Sequence, residues 1–285
     1  MTAKTLPNTT LSDTGFLDLD PLRLEYRMIG PRPDAAPTIV MLHEGLGSAG
    51  LWNSFPDHIA RATGVGVFAY SRAGYGQSPA GKLPRSTSFL NEEACDVLPR
   101  VLDAIGFQRG LLLGHSDGAS IAAIYAGSIQ DHRVRGLVLI APHFFTEEKG
   151  LAEIRRAGKS FATGALRERL APWHADVDAA FRSWNEPWTH PDFEKWDITD
   201  ALGYIRVPIL VVQGADDQYG TLKQVEAAEQ ECFCPVETAV LPDVRHAPFR
   251  EAPELTLKIV ADFNNRLFRD HHEGEKQADS GVAVI

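Results

Sequence analysis

Five residues near the middle of the chain, Gly114-His115-Ser116-Asp117-Gly118, set a hydroxyl between two glycines. They follow a short apolar run at 111–113 and open a helical pattern from Ala119 onward. A serine on so tight a strand-to-helix turn is held in a strained conformation with its hydroxyl exposed, and a Cβ on either flanking glycine would crowd the turn. The helix N-terminus behind it puts partial positive charge where an oxyanion would form. The chemistry of such a residue is nucleophilic attack. A hydroxyl needs a base to take its proton, and the base needs an acid to orient it. Downstream, the run beginning at Ile209 ends in Gly214-Ala215-Asp216-Asp217, which offers two acids, and the segment 240–246 ends in His246. Both candidates lie just past strand-like runs, on loops expected at the same sheet edge as Ser116. His115 is next to the serine, but neighbours on a tight turn point apart. His174 and His190 read as surface residues of a helical region.

Loops converging on one edge require a sheet beneath them. Residues 38–42, 65–70, 110–113, 137–140 and 208–212 are continuous apolar runs, the pattern of parallel strands covered on both faces. Residues 22–29 alternate apolar and polar and read as a further strand. Helical patterns occupy 55–62, 89–105, 119–128, 222–231 and 253–267. The alternation argues for an α/β fold, a mostly parallel central sheet flanked by helices. Residues 143–204 break the rhythm. They carry no clear strand and hold Trp173, Trp184, Trp188 and Trp196, four of the five tryptophans. An inserted helical cap is expected there, its indoles packing the insert, roofing a pocket, or both. The expected organisation is a core from 1–142 and 205–268, a cap at 143–204, and a polar, flexible tail at 269–285. His271 and His272 in that tail are not read as a metal site.

Composition excludes several classes. With 28 Lys plus Arg against 38 Asp plus Glu, the formal charge of −10 lacks the basic footprint that nucleic acid requires and disfavours an anionic membrane surface. The first fourteen residues have no apolar core of a secretory signal, and the apolar stretch 111–126 is interrupted by His115, Ser116 and Asp117. Cys95, Cys232 and Cys234 form no disulfide framework and no zinc spacing, so a reducing, cytoplasmic setting is expected.

Taken together, these motifs make the chain resemble a member of the α/β-hydrolase superfamily over most of residues 22–267. Ser116 matches the nucleophile elbow. Gly214-Ala215-Asp216-Asp217 resembles the family's acid motif and thereby favours Asp217 over Asp216. His246, in Arg245-His246-Ala247-Pro248-Phe249, matches the general base. Leu42-His43 followed by Gly45 resembles the oxyanion loop after the third strand, and Ser71-Arg72-Ala73-Gly74-Tyr75-Gly76-Gln77-Ser78 the loop after the next. Three positions depart from the family pattern: Glu44 for Gly, Ser71 for Asp, and Arg245 for Gly. Glu44 leaves the second oxyanion donor between the backbone N–H of Gly45, favoured by register, and that of Leu46. The resemblance implies the Asp117 N–H as the first. The carboxylates of Glu44 and Asp117 either receive a cationic or hydroxylated substrate or hold the loops, and loop support is the favoured role.

The resemblance implies an α/β-hydrolase fold with a helical cap. It also implies a serine hydrolase acting on a small-molecule acyl substrate, a carboxylic ester first, through Ser116, Asp217 and His246. No metal or organic cofactor is required by that chemistry. The rivals are a C–C bond hydrolase of a diketone with the same triad, a dehalogenase or epoxide hydrolase, which would need Asp in place of Ser116, and a non-catalytic ligand-binding protein.

Overall fold

The computed structural model describes residue 11 and residues 13–279. Eight strands form one sheet: β1 (Thr14–Leu19), β2 (Leu22–Ile29), β3 (Thr38–Leu42), β4 (Gly66–Tyr70), β5 (Gly110–His115), β6 (Val134–Ile140), β7 (Ile209–Gly214) and β8 (Val236–Leu241). Their order is β1-β2-β4-β3-β5-β6-β7-β8. The first two pairings are antiparallel and the remaining five parallel. The expected fold class is the one that forms. Period-2 alternation splits each central strand between two cores. Val40 and Leu42 join Phe68, Tyr70 and Leu112 on one face, whereas Ile39 and Met41 join Val67, Leu111 and Val138 on the other. Burial on both faces is why these strands read as unbroken apolar runs.

The helices are α1 (Phe55–Thr63), α2 (Phe89–Glu92), α3 (Leu98–Ala104), α4 (Asp117–Ser128), α5 (Glu148–Ala162), α6 (Ala165–Leu170), α7 (Val177–Trp188), α8 (Thr199–Leu202), α9 (Lys223–Glu231), α10 (Pro248–Glu251) and α11 (Pro253–Asp279). A π-helical turn at Glu93–Val97 joins α2 to α3, so the single helix expected at 89–105 is a continuous but irregular one. Phe55, Ile59, Val260 and Phe263 bring α1 and α11 onto one face of the sheet. Leu98, Ile121, Leu202 and Val225 bring α3, α4, α8 and α9 onto the other. No helix among the described residues is long and apolar enough to cross a membrane.

Between β6 and β7 the chain is helical, from α5 to α8, apart from one isolated bridge between Phe145 and Asp197. The sequence reading had no strand at β1, an edge strand of mixed polarity, and marked only the last residues of β8, whose other positions are mostly exposed. It also placed a flexible tail from residue 269. α11 runs through part of that segment, to Asp279. Residues 280–285 of that tail lie outside the described residues, as do residues 1–10 and 12 of the polar N-terminal segment.

At the amino end of β5, Gly110 faces Thr38 of β3, and a Cβ there would overlap the Thr38 carbonyl. Gly110→Ala is expected to force these parallel strands apart and cost about 1–3 kcal/mol. Urea unfolding, read as a lower midpoint with an unchanged slope, measures it.

Candidate active site

Parallel strands deliver their carboxyl ends to a common edge, and the loops leaving β3, β4, β5, β6, β7 and β8 all start there. Ser116 stands at the β5–α4 junction with φ 53° and ψ −118°, left-handed backbone that a residue with a Cβ rarely adopts. Two glycines permit this turn by close approach. A Cβ on Gly114 would overlap the backbone of Gly118, and a Cβ on Gly118 would overlap the Leu42 carbonyl.

Of the two acids, Asp216 is exposed and Asp217 is buried. Asp217 Oδ2 accepts the His246 Nδ1–H at 2.8 Å and the Gln213 Nε2–H at 2.8 Å, and Oδ1 accepts the Tyr219 N–H at 2.7 Å. Burial alone would raise its carboxyl, but His246 and the Tyr219 N–H outweigh that and hold it at about 2. With Nδ1 engaged, His246 presents Nε2 as its remaining nitrogen. His246, Ser116, Asp117 and Gly45 line one cavity of about 90 Å³, together with Glu44, Leu46, His143, Ile154, Trp184, Trp188 and Tyr219. The structure therefore joins Asp217 directly to His246 and brings Ser116, Gly45 and Asp117 to the same cavity as the imidazole. Among the described residues, neither the Gly45 N–H nor the Asp117 N–H has a backbone acceptor.

The loop residues that depart from the family pattern are all engaged. Glu44 Oε1 accepts from Arg250 at 3.3 Å, and Oε2 lies 3.5 Å from His115 Nδ1. Burial opposes ionisation of Glu44, but His115, Arg250 and His43 hold it far below the usual carboxylate range. The Ser71 hydroxyl donates to Glu25 at 2.7 Å and accepts the Ala49 N–H at 2.8 Å. The backbone N–H groups of Arg245 and Ala247, on either side of His246, both donate to Glu251. Arg72, itself buried, donates to the carbonyls of His43 and Glu44 at 2.5 and 3.1 Å. His43 is neutral between them. Its Nδ1–H donates to the Glu44 carbonyl, its Nε2 accepts the Arg72 N–H, and burial and the guanidinium push its pKa well down.

Three histidines behave differently from their sequence reading. His115 does not simply point away, since its Nε2–H donates to the His246 carbonyl at 2.8 Å and its ring lies 5.0 Å from the His246 ring. His174 is buried rather than at the surface. Its Nδ1 accepts the Gly76 N–H and its Nε2–H donates to the Leu46 carbonyl, tying the helical insert to two core loops. His143 was not singled out as a site residue, yet it lines the cavity beside His246, with ring centroids 5.6 Å apart. Its position three residues past β6, at the carboxyl edge of the sheet, was the available signal. Burial first, then the nearby His246, pushes His143 down to about 4.

Of the four tryptophans in the insert, Trp184 and Trp188 line the cavity, whereas Trp196 stacks on Phe193 at 5.3 Å and Trp173 is partly exposed. The Trp184 indole occupies the space that a Cβ on Gly45 would need. Trp188 Nε1–H donates to Asp117 Oδ1 at 3.1 Å. Asp117 Oδ2 has no hydrogen-bond partner, and Arg72 lies 4.0 Å away. Burial lifts this carboxyl from 3.8 to about 6 against the pull of Arg72 and Trp188.

Comparison with known proteins gives the same architecture. A model of the alpha/beta hydrolase fold family matches residues 37–182. A proline iminopeptidase from Lactobacillus delbrueckii subsp. bulgaricus is 30% identical over 113 residues, 40% of this chain and 38% of the relative. The match thus spans about two-fifths of that curated relative's length. Among solved structures, VinJ has a TM-score of 0.71 at 22% identity, covering 90% of this chain and 99% of that one. A thermophilic esterase from Thermogutta terrifontis has a TM-score of 0.70 at 17% identity, with 90% and 99% covered.

Asp117 generates a prediction about stability. A carboxyl whose folded pKa lies above its unfolded value stabilises the fold fully below the unfolded value, and that contribution is lost as pH rises through the folded one. For Asp117 the window runs from 3.8 to about 6. Asp117→Asn keeps an acceptor for Trp188 and removes the buried charge. Its stability relative to wild type is expected to rise between pH 4 and pH 7 by on the order of 3 kcal/mol. Parallel urea titrations at the two pH values check this, and a difference independent of pH refutes it.

Proposed function

From the premise that this chain belongs to the alpha/beta hydrolase fold family, we propose that it is a serine hydrolase that cleaves a small carboxylic ester through an acyl-enzyme. The observation that carries the reading is the left-handed Ser116 opening into the same cavity as a His246 fixed at 2.8 Å by a buried, ionised Asp217. In this mechanism His246 Nε2 takes the Ser116 proton as Oγ attacks the ester carbonyl. The Asp217 carboxylate holds the imidazole tautomer and stabilises the imidazolium. The N–H groups of Gly45 and Asp117 receive the oxyanion, a role supported by their lack of backbone acceptors and their place at the cavity wall. His246 then protonates the departing alcohol, activates a water, and returns Ser116 free. The helices between β6 and β7 act as a cap. A cavity of about 90 Å³ is smaller than the roughly 150 Å³ that holds a benzene ring, so the reading favours short acyl groups. The sparse set of three free cysteines supports a reducing, cytoplasmic setting.

Four substitutions test the reading. Ser116→Ala is expected to lower kcat on a short-chain ester by on the order of 10⁴-fold or more and to abolish labelling by a fluorophosphonate, with the fold intact by circular dichroism. Asp217→Asn is expected to remove most activity, whereas Asp216→Asn, at an exposed position, has a mild effect. Trp184→Ala widens the cavity, so the ratio of kcat/KM for hexanoate over acetate esters is expected to rise. A rise confined to longer acyl chains, with Ser116 labelling retained, separates a specificity role from loss of packing.

A further inference from the structure

The cavity wall contains a polar group that the triad does not use. Neither ring nitrogen of His143 has a hydrogen-bond partner among the described residues, although its backbone carbonyl accepts the Ser120 hydroxyl at 2.6 Å and so fixes where the residue sits. The ring is wedged between His246 and Trp188, each at 5.6 Å between centroids, and it lines the cavity. Two of the other polar side chains there are held, Glu44 by Arg250 and Asp117 through Oδ1 by Trp188, while Asp117 Oδ2 has no hydrogen-bond partner among the described residues. A polar group on the wall of a cavity takes its partner from the molecule that fills the cavity.

We propose that His143 is a specificity-determining residue that hydrogen-bonds an oxygen on the alcohol portion of the substrate, so that the natural substrate is an ester of a hydroxylated alcohol rather than of a plain alkyl one. The assignment to the alcohol side follows from proton transfer. The leaving oxygen must come within hydrogen-bond reach of His246 Nε2 to be protonated. The group packed beside that imidazole therefore meets the atoms attached to the leaving oxygen. His143 is suited to the task because it stays neutral while its neighbour becomes a cation, offering one N–H donor and one acceptor nitrogen. This inference rests on the serine-hydrolase reading and names the substrate class of that same site.

The test uses two acetate esters of equal size, 2-hydroxyethyl acetate and n-propyl acetate. Both give the same acetyl-enzyme, so a difference in kcat/KM isolates acylation, the step in which the alcohol is still present. Wild-type protein is expected to favour the hydroxylated ester by about tenfold or more, the worth of one hydrogen bond in a dry site. His143→Phe is expected to bring that ratio close to one, and His143→Asn, which restores a donor and an acceptor, to recover part of it. An equal loss on both esters, leaving the ratio unchanged, assigns His143 to structure alone and overturns the inference. A wild-type ratio near one overturns it as well, even if the phenylalanine variant does not fold. Wild-type protein that reacts with a fluorophosphonate but cleaves neither ester instead removes the ester reading, and this inference with it.

Discussion

Gly118 lies so close to the Leu42 carbonyl that a Cβ would overlap it, and much of the site depends on that approach. No side chain fits between the first turn of α4 and the end of β3. That approach seats the N-terminus of α4 against the loop that carries Gly45, so two chain segments far apart in sequence present free N–H groups at one cavity. It also compels Ser116 to turn sharply, at a backbone strain on the order of 1–3 kcal/mol. The strain persists because the surroundings fix both sides of the turn. Upstream, β5 is held by β3 and β6, and downstream α4 is buried along nearly its whole length.

Charge is handled by the same economy of space. Arg72, buried at the end of β4, donates to the His43 and Glu44 carbonyls, so its charge stiffens the loop that bears Gly45. Asp117 is too far from it for a close ion pair and pays with a raised pKa. Glu44, which replaces a glycine of the family pattern, has found His115 and Arg250 instead. His115 in turn bonds the His246 carbonyl. His115, the residue before Ser116, thus links the loop of Glu44 to the loop of His246. The favoured role of Glu44 as a loop support agrees with these contacts.

The sheet was legible because burial on both faces writes an unbroken apolar run. The edge strands β1 and β8 were not, or only in part, because exposed positions remove that signal. That Ser116, Asp217 and His246 would meet at one edge was legible because each follows a strand of the parallel sheet. The choice between Asp216 and Asp217 could not be made from residue type alone. It depends on which carboxylate turns inward, and the fold buries Asp217 while leaving its neighbour exposed. His143 escaped notice for a related reason. A histidine after Ala141-Pro142 has no motif, and only the three-dimensional edge brings it to His246. His174 was misjudged because the long-range partners that bury it, Gly76 and Leu46, leave no local trace.

Two tryptophans of the insert both pack against core loops and line the cavity. Trp184 lies against Gly45 and also lines the cavity, so one indole both packs on that loop and forms part of the cavity wall. Trp188 lines the same cavity while its N–H holds Asp117, the residue that follows the nucleophile. Any movement of α7 that admits a larger substrate must therefore lift Trp184 from Gly45 and draw Trp188 from Asp117 together. The second contact is the more costly to break, because it would strip a buried carboxyl of the one side-chain hydrogen bond it has among the described residues. The helices above the sheet are thus fastened at Gly45 and Asp117 to the loops that line the cavity.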